Sequence, residues 1–523
     1  MFRRIVNWRR FSQALFLLLF LFLFLRTEST GDDSTGYPVK IFLDFDPLLA
    51  LTTFLVSWEV PAAFLLSISV VVLTLLTGRT FCGWICPFGT IHHMASYLQK
   101  KETKGDKIKK VDKIGRHSYK YLILVFLIAA SLFSLQLTGI FDPISFLIRS
   151  LALSVHPAFQ YSVSSFFNYF YELQIPVITD TTEWVYAILK KSVLAFRTPY
   201  FRQVFLIGAL FFVIIFLNLY RRRFWCRYIC PLGALLGLFA KYSIVSRTVS
   251  SSCSECGKCT ISCAGDANPM SSSEWNKMEC MFCWNCSSAC ESAKAVKFSF
   301  FKKSPEPQKK KMAGSRTITR KEALIAAGSA FVAVPFFRIS PRAAGLEKDL
   351  RILRPPGALK EKEFLQRCIK CGECMKVCIT GGLQPALFET GPEGIWTPIL
   401  VPEIGYCEHR CTLCGQTCPT GAIENLPIEK KMKFRIGTAR VDRSKCIPWI
   451  SSTPCIVCEE VCPTSPKAIY LKAVKDTDDF GVTVRLERPY VDSEKCIGCA
   501  ICETKCPLQH DPAIYVVTGE TES

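Results

Sequence analysis

The sequence predicts a multi-domain chain in which an α-helical membrane bundle precedes small α+β modules, each wrapped around four cysteines. Three observations predict it. Apolar stretches fill the first half, 28 cysteines recur at fixed spacings, and charge divides along the chain. Residues 1–340 hold 40 Lys and Arg against 20 acids, whereas residues 341–523 hold 24 of each. The length of 523 residues gives room for about three domains, and a composition half apolar and rich in Phe points to a membrane part. So many cysteines exclude use as packing residues, and a disulfide framework does not suit a chain that is half membrane-like. They are ligands if their spacing agrees.

Four stretches are expected to cross a bilayer: 11–25 ("FSQALFLLLFLFLFL"), 60–76, 121–140 and 201–220. The first follows "RRIVNWRR" and lacks a small-residue cleavage pattern, so it reads as an uncleaved anchor. Residues 46–58 stand too near the second stretch to cross separately and read as an interfacial helix. Loop charge then orients the bundle. The N-terminus has four Arg in ten residues, the 79–120 loop has ten Lys or Arg, and "RRRFWCR" follows the fourth stretch, so these are expected inside. The acidic 26–46 loop and the mixed 141–200 loop are expected outside. The bundle and its first cysteines therefore occupy 1–245, and a cytoplasmic two-cluster module occupies 246–300.

Residues 301–345 form a basic linker, "FKKSPEPQKKKMAGSR", followed by a signal-like segment. The linker composition predicts a disordered tether that seeks lipid headgroups. In the segment, Arg320-Lys321 precedes a small-residue apolar run, 323–337, and a polar exit. This pattern suits a twin-arginine-like export signal or a fifth helix, although the pair is not two arginines. Export of a folded domain by that route would place residues 346–523 outside.

Six four-cysteine groups use 24 of the 28 cysteines. Four follow C-x2-C-x2-C-x3-C: Cys253, Cys256, Cys259 and Cys263; Cys280, Cys283, Cys286 and Cys290; Cys368, Cys371, Cys374 and Cys378; Cys496, Cys499, Cys502 and Cys506. Two are stretched at the front: Cys407, Cys411, Cys414 and Cys418; Cys446, Cys455, Cys458 and Cys462. Each is the ligand run of a bacterial ferredoxin-like [4Fe-4S] module, six clusters in all. A loop with a thiolate every third residue can touch three iron corners and aim backbone N–H groups at the sulfides, while the fourth cysteine ligates the neighbouring cluster. Zinc would want two pairs across a longer loop. "CEHRCTLC" also fits the C-x3-C-x2-C of radical S-adenosylmethionine enzymes, but Cys418-Pro419 completes a ferredoxin group and no room is left for a barrel. No C-x2-C-H occurs, so no haem c is expected.

The other four cysteines form two C-x3-C-P copies, Cys82 and Cys86 in "CGWICP" and Cys226 and Cys230 in "CRYICP", each just past the inner end of an apolar stretch. The repeat implies a pseudo-symmetric pair. These thiols could hold a further cluster, form a redox thiol site or fix the helix ends.

"GRTFCGWICPFG" and "RRRFWCRYICPLGALLG" with the two groups after them resemble the NapH-type membrane ferredoxins among the NosR-like polyferredoxins. "LRPPGALKEKEFLQRCIKCGECMKVC" and the three groups after it resemble the NapG/MauM type of exported four-cluster ferredoxin. The resemblance covers about 45–300 and 345–515, as if the two were fused with the export signal surviving at the joint. Interlocking of neighbouring modules pairs the 253 and 280 groups, and the resemblance implies pairing of 368 with 496 and of 407 with 446. It also implies a quinol dehydrogenase type of electron-transfer protein in a bacterial inner membrane, multi-pass. Such a protein takes electrons from the quinol pool and passes them to a periplasmic cytochrome or reductase. The alternative is an accessory protein that supplies electrons for assembly of another metalloenzyme. Membrane lipid is a partner and nucleic acid is not. Quinol is a two-proton donor and clusters take none, so a proton acceptor is expected near the bundle. His92 and His93 are the first candidates, with Asp142 and His156 on the outer side as weaker ones.

Overall fold

The computed structural model describes residues 2–28, 34–36, 38–59, 61–98, 118–172, 176–192, 194, 199–254, 256–268, 275–290, 295–300, 318–338, 352–451, 453–477, 483–508 and 510–518. Residues 99–117 of the basic 79–120 loop, the linker and the polar exit of the signal-like segment lie outside the described residues. Two compact units divide the chain: Met1–Leu25, Val39–Ser150 and Phe205–Phe336 form the first, and Arg26–Pro38, Leu151–Val204 and Phe337–Ser523 the second.

The first unit is mostly helical. Helix Phe2–Arg26 includes the basic run before the apolar stretch, so "RRIVNWRR" forms its opening turns. Among the described residues it alone is long and apolar enough, by length and composition, to cross a membrane. The other expected crossings are shorter than the sequence suggests. The 121–140 stretch stops as helix Ser118–Leu132, because Ser134 turns left-handed (φ 59°), and the chain restarts only as Thr138–Phe141. The 60–76 stretch begins behind Pro61 as a 3-10 turn, Ala62–Leu66, before helix Ser67–Thr77, and 201–220 is helical over Val204–Tyr220. At 1.5 Å per residue these runs reach about 17–26 Å, short of the ~30 Å hydrocarbon layer.

Four helices in this unit begin the same way. Pro47–Ser57, Pro87–Ala95, Pro143–Ser150 and Pro231–Ala240 each carry Pro at the first helical position, where its missing N–H is harmless and its φ is already helical. The residue before each Pro accepts from the first free N–H groups. Asp46 Oδ1 accepts from Leu48 N at 2.8 Å and Leu49 N at 3.2 Å, and Asp142 Oδ2 from Ile144 N at 3.0 Å and Ser145 N at 2.8 Å. Cys86 Sγ accepts from Gly89 N at 3.4 Å and Cys230 Sγ from Gly233 N at 3.2 Å. A Phe-Asp-Pro and a C-x3-C-P therefore occur twice each, in the same order. Helix Arg320–Phe337 opens with a capping box: Thr319 Oγ1 accepts from Glu322 N while Glu322 Oε2 accepts from Thr319 N. With Arg320, Lys321 and Glu322 in its first turn it is not among the helices apolar enough to span.

One rule builds the modules of both units. In the first unit, strand β1 (Val245–Val249), before Cys253, pairs antiparallel with β2 (Val296–Phe300), after Cys290, with Val245 opposite Phe300. In the second unit Ala358 bridges to Ile423, closing a segment that holds the 368 and 407 groups, with β3 (Leu383–Pro385) and β4 (Pro398–Leu400) paired inside it. Strand β5 (Thr438–Val441) pairs with β8 (Ile514–Val517) around the 446 and 496 groups, and β6 (Ile469–Thr477) pairs with β7 (Thr483–Val491) between them. Consecutive groups are thus clasped together. Helices His156–Glu172 and Pro176–Ser192 also belong to the second unit and pack on each other, with Phe167 and Tyr186 rings 5.1 Å apart.

Candidate metal centres

Four cavities are lined by four cysteines each, and in every one the fourth comes from the neighbouring group. Cys280, Cys283 and Cys286 meet Cys263 around about 330 Å³. Cys407, Cys411 and Cys414 meet Cys378 around about 410 Å³. Cys446, Cys455 and Cys458 meet Cys506 around about 390 Å³, and Cys496, Cys499 and Cys502 meet Cys462 around about 320 Å³. The reciprocal halves follow: Cys418 acts on Cys368, Cys371 and Cys374, and Cys290 packs with Cys259, whose charge neighbour is Cys253. The pairing of the 253 and 280 groups agrees with expectation. The pairings of 368 with 496 and of 407 with 446 are wrong. The structure pairs 368 with 407 and 446 with 496, because each antiparallel closure described above encloses two consecutive groups and leaves no nested partner.

The donor set fits a cluster. Burial pushes the thiols up, Cys280, Cys458 and Cys499 to about 12 and Cys407 to about 11, so four neutral thiols would waste the cavity while a bound cation cluster holds them as thiolates. Backbone N–H groups point at sulfur, Ala267 to Cys263 and Ala439 to Cys496 at 3.3 Å, and Ile423 to Cys418 at 3.4 Å. Loop shape comes from left-handed residues after the second cysteine: Gly257 (φ 69°), Trp284 (59°), Gly372 (86°) and Ala500 (64°). The stretched groups do without it, as Thr412 and Ile456 at that position have φ of −121° and −117°.

In the second unit the two modules meet through the 407 and 496 groups. Cys407 N donates to Cys499 O at 2.9 Å, and Thr504 Oγ1 donates to Pro402 O at 2.8 Å. The cavities therefore run in the order 368, 407, 496, 446, not in chain order.

In the first unit the C-x3-C-P thiols are brought together and buried. Cys86 lies close enough to Cys82 and Cys226, and Cys230 to all three others, for their charges to interact, and burial pushes Cys86 and Cys230 up. They adjoin the 280 group: Cys226 packs with Met281 and Cys283, Trp84 Nε1 donates to Phe282 O at 3.0 Å, and Arg223 Nη1 donates to Cys82 O at 3.2 Å. A Cβ on Gly83 would stand 2.6 Å from Met281 O, so only glycine permits this approach. Glu279 anchors the joint from within, taking Arg79 at 2.9 Å, Tyr121 Oη at 2.8 Å and Lys120.

His92 is fully buried, with Nδ1 3.0 Å from Asn218 Oδ1 and its ring 4.4 Å from Phe88. Burial lowers it to about 4, and burial with Arg223 and Arg9 lowers His93 to about 2, so both rings stay neutral. His156 is in the second unit, with Nε2 3.1 Å from Gln160 Nε2 and Nδ1 3.8 Å from Glu28, which also meets Lys376 at 3.3 Å. Asp142 stands against Asp46, a residue that sequence reasoning missed although the doubled Phe-Asp-Pro is visible at 45–47 and 141–143. Each side chain is fully buried and near enough to the other for their charges to interact; burial pushes both carboxyls up, and the mutual repulsion adds to it at Asp46.

Residues 60–105 and 201–250, which contain the two C-x3-C-P copies, match a 4Fe-4S binding domain model, and residues 489–509 match a second 4Fe-4S binding domain model. The methylamine utilization ferredoxin-type protein MauM of Methylophilus methylotrophus is 39% identical over 171 residues, 32% of this chain and 72% of that protein. The chain belongs to the MauM/NapG family of ferredoxin-type proteins. NapG of Escherichia coli is 33% identical over 217 residues, 41% of this chain and 88% of that protein, and MauM of Paracoccus denitrificans 32% over 206, 38% and 88%. No solved structure matches. Membership in this family makes the chain a [4Fe-4S] electron-transfer protein; these three relatives match 32–41% of its length.

Proposed function

We propose that this chain is a membrane-bound electron-transfer protein of the quinol dehydrogenase type, a NapH-like part joined to a NapG/MauM-like part, that relays electrons from quinol to a periplasmic cytochrome or reductase. The observation that carries the reading is the arrangement of the cysteine cavities: consecutive groups interlock, the two modules of the second unit meet through Cys407 and Cys499, and buried C-x3-C-P thiols adjoin the 280 group. When bound, [4Fe-4S] clusters each accept and release one electron without a proton. The chain's own residues would hold six such positions in interlocked pairs. The proposal places Phe2–Arg26 and the apolar helices after it in a bacterial inner membrane, with basic loops inside and residues 346–523 outside.

The test uses anaerobically purified, cluster-loaded full chain in lipid nanodiscs, mixed with a menaquinol analogue. Rapid bleaching of the cluster absorbance, with quinone formed in step, is the expected result. Reduction by dithionite but only marginal reduction by quinol would sink the quinol reading and leave the accessory role.

A further inference from the structure

We propose that Asp46 and Asp142 form one proton-holding site, a carboxyl pair sharing a proton, which receives the protons released when quinol is oxidised in the first unit. The inference rests on the quinol reading above. Both residues belong to that unit and occupy equivalent places in the Phe-Asp-Pro repeat, each spending one oxygen on the N-terminus of its own helix. The second oxygens, Asp46 Oδ2 and Asp142 Oδ1, are buried with no donor from the protein. Two carboxylates facing each other without a donor are untenable in an apolar interior, and one shared proton satisfies both oxygens. A plain N-cap needs no such partner: Ser, Thr or Asn would serve at either position.

Placement ties the pair to the redox residues. Phe146, one turn after Asp142, stacks on Trp225 at 5.4 Å and meets Phe88 at 5.7 Å, and these two rings are sequence neighbours of Cys226 and of Cys86-Pro87. The charged and titratable groups on the surrounding elements are otherwise engaged. Arg149 Nη1 donates to Gly139 O and Nη2 to Ile140 O, Lys120 and Tyr121 hold Glu279, His92 faces Asn218, and Lys40 acts on Asp44, itself raised to about 6. The Thr138 hydroxyl, one turn before Asp142, is also buried without a partner.

The step balances. Quinol gives up two electrons and two protons; electrons leave singly to the [4Fe-4S] clusters, the oxidant, and quinone is the product. As each quinol O–H breaks, directly or through one water, its proton joins the one the pair already shares, leaving two neutral carboxyls, and one proton passes on to water before the next arrives.

Asp46→Asn and Asp142→Asn keep the helix cap and remove the shared proton. In cluster-loaded nanodisc samples matched for iron, each variant is expected to be reduced by a menaquinol analogue roughly a hundredfold more slowly than the parent, with dithionite reduction unchanged. Infrared spectra of the parent at neutral pH should show a protonated-carboxyl band that both variants lose. Parent reduced by quinol with variants equally fast would overturn the inference alone. If the parent is not reduced by quinol, the quinol reading fails, and the infrared band then decides whether the shared proton exists. Should the Asn variants fail to load clusters, Asp46→Glu and the parent's own band serve instead: no protonated carboxyl in the parent overturns the pair.

Discussion

Cys378 shows how a single side chain decides which cluster belongs to which loop. It follows Cys374 in sequence, yet it lines the cavity of Cys407, Cys411 and Cys414. Cys378→Ser is therefore expected to damage the 407 cluster and spare the one held by Cys496, Cys499 and Cys502, which electron paramagnetic resonance of the loaded protein separates. Loss of the 496 cluster would restore the nested pairing. His92 offers a second test at this scale. Its folded value, about 4, lies below the ordinary 6.5, so the unfolded chain binds the extra proton between those limits and stability falls as pH drops from 6.5 towards 4. The loss amounts to about 3 kcal/mol at most. His92→Gln should flatten that part of a thermal-melting profile against pH, and an unchanged slope would show that His92 is not buried neutral. Cysteine identity was legible in the sequence because spacing is a local property. The partner of each fourth cysteine was not, because it depends on which strands close around the loops.

At the level of elements, the ligand loops depend on left-handed residues. Gly372 sits at φ 86° between Cys371 and Cys374, where a side chain is strained by about 1–2 kcal/mol. Gly372→Val should leave the fold intact and speed the loss of iron from the 368 cluster to a chelator, whereas Ala500→Gly, at φ 64° in the equivalent place, should slow it at the 496 cluster. Equal release rates in both variants would mean that the loops are not shaped by this position. The same local logic explains the helices. Asp-Pro and Cys-Pro starts could be read directly, but helix lengths could not: the apolar run at 121–140 continues past Leu132 in composition, while Ser134 and the Asp142-Pro143 break end it in three dimensions. Hydropathy averages over such a break. Asp46 escaped notice for a related reason, since an Asp before Pro reads as an ordinary cap until its neighbour across the bundle is known.

For the whole molecule, the question is on which side each set of clusters works. If all six four-cysteine groups are loaded, the chain is expected to hold about 24 iron atoms at four per cluster, and about four more only if the C-x3-C-P thiols hold a cubane; anaerobic iron and sulfide analysis distinguishes these from about 16, which would leave two groups empty. Count alone does not give direction. The charge division along the chain, basic before 340 and neutral after, is the pattern that the positive-inside rule leaves when the second half is exported. Helix Arg320–Phe337 stands at the joint, with its only charges in the first turn, as a signal-anchor entering from the basic side would have them. A reporter active only in the periplasm, fused after Ser523, is thus expected to be active, and changing Arg320 and Lys321 together to Gln should silence it if a twin-arginine-like route is used. Activity only from a cytoplasmic reporter would put all six clusters on one side. The order 368, 407, 496, 446 would then end away from any periplasmic acceptor, and an electron supply to another enzyme's assembly would be the better account of the same cysteines.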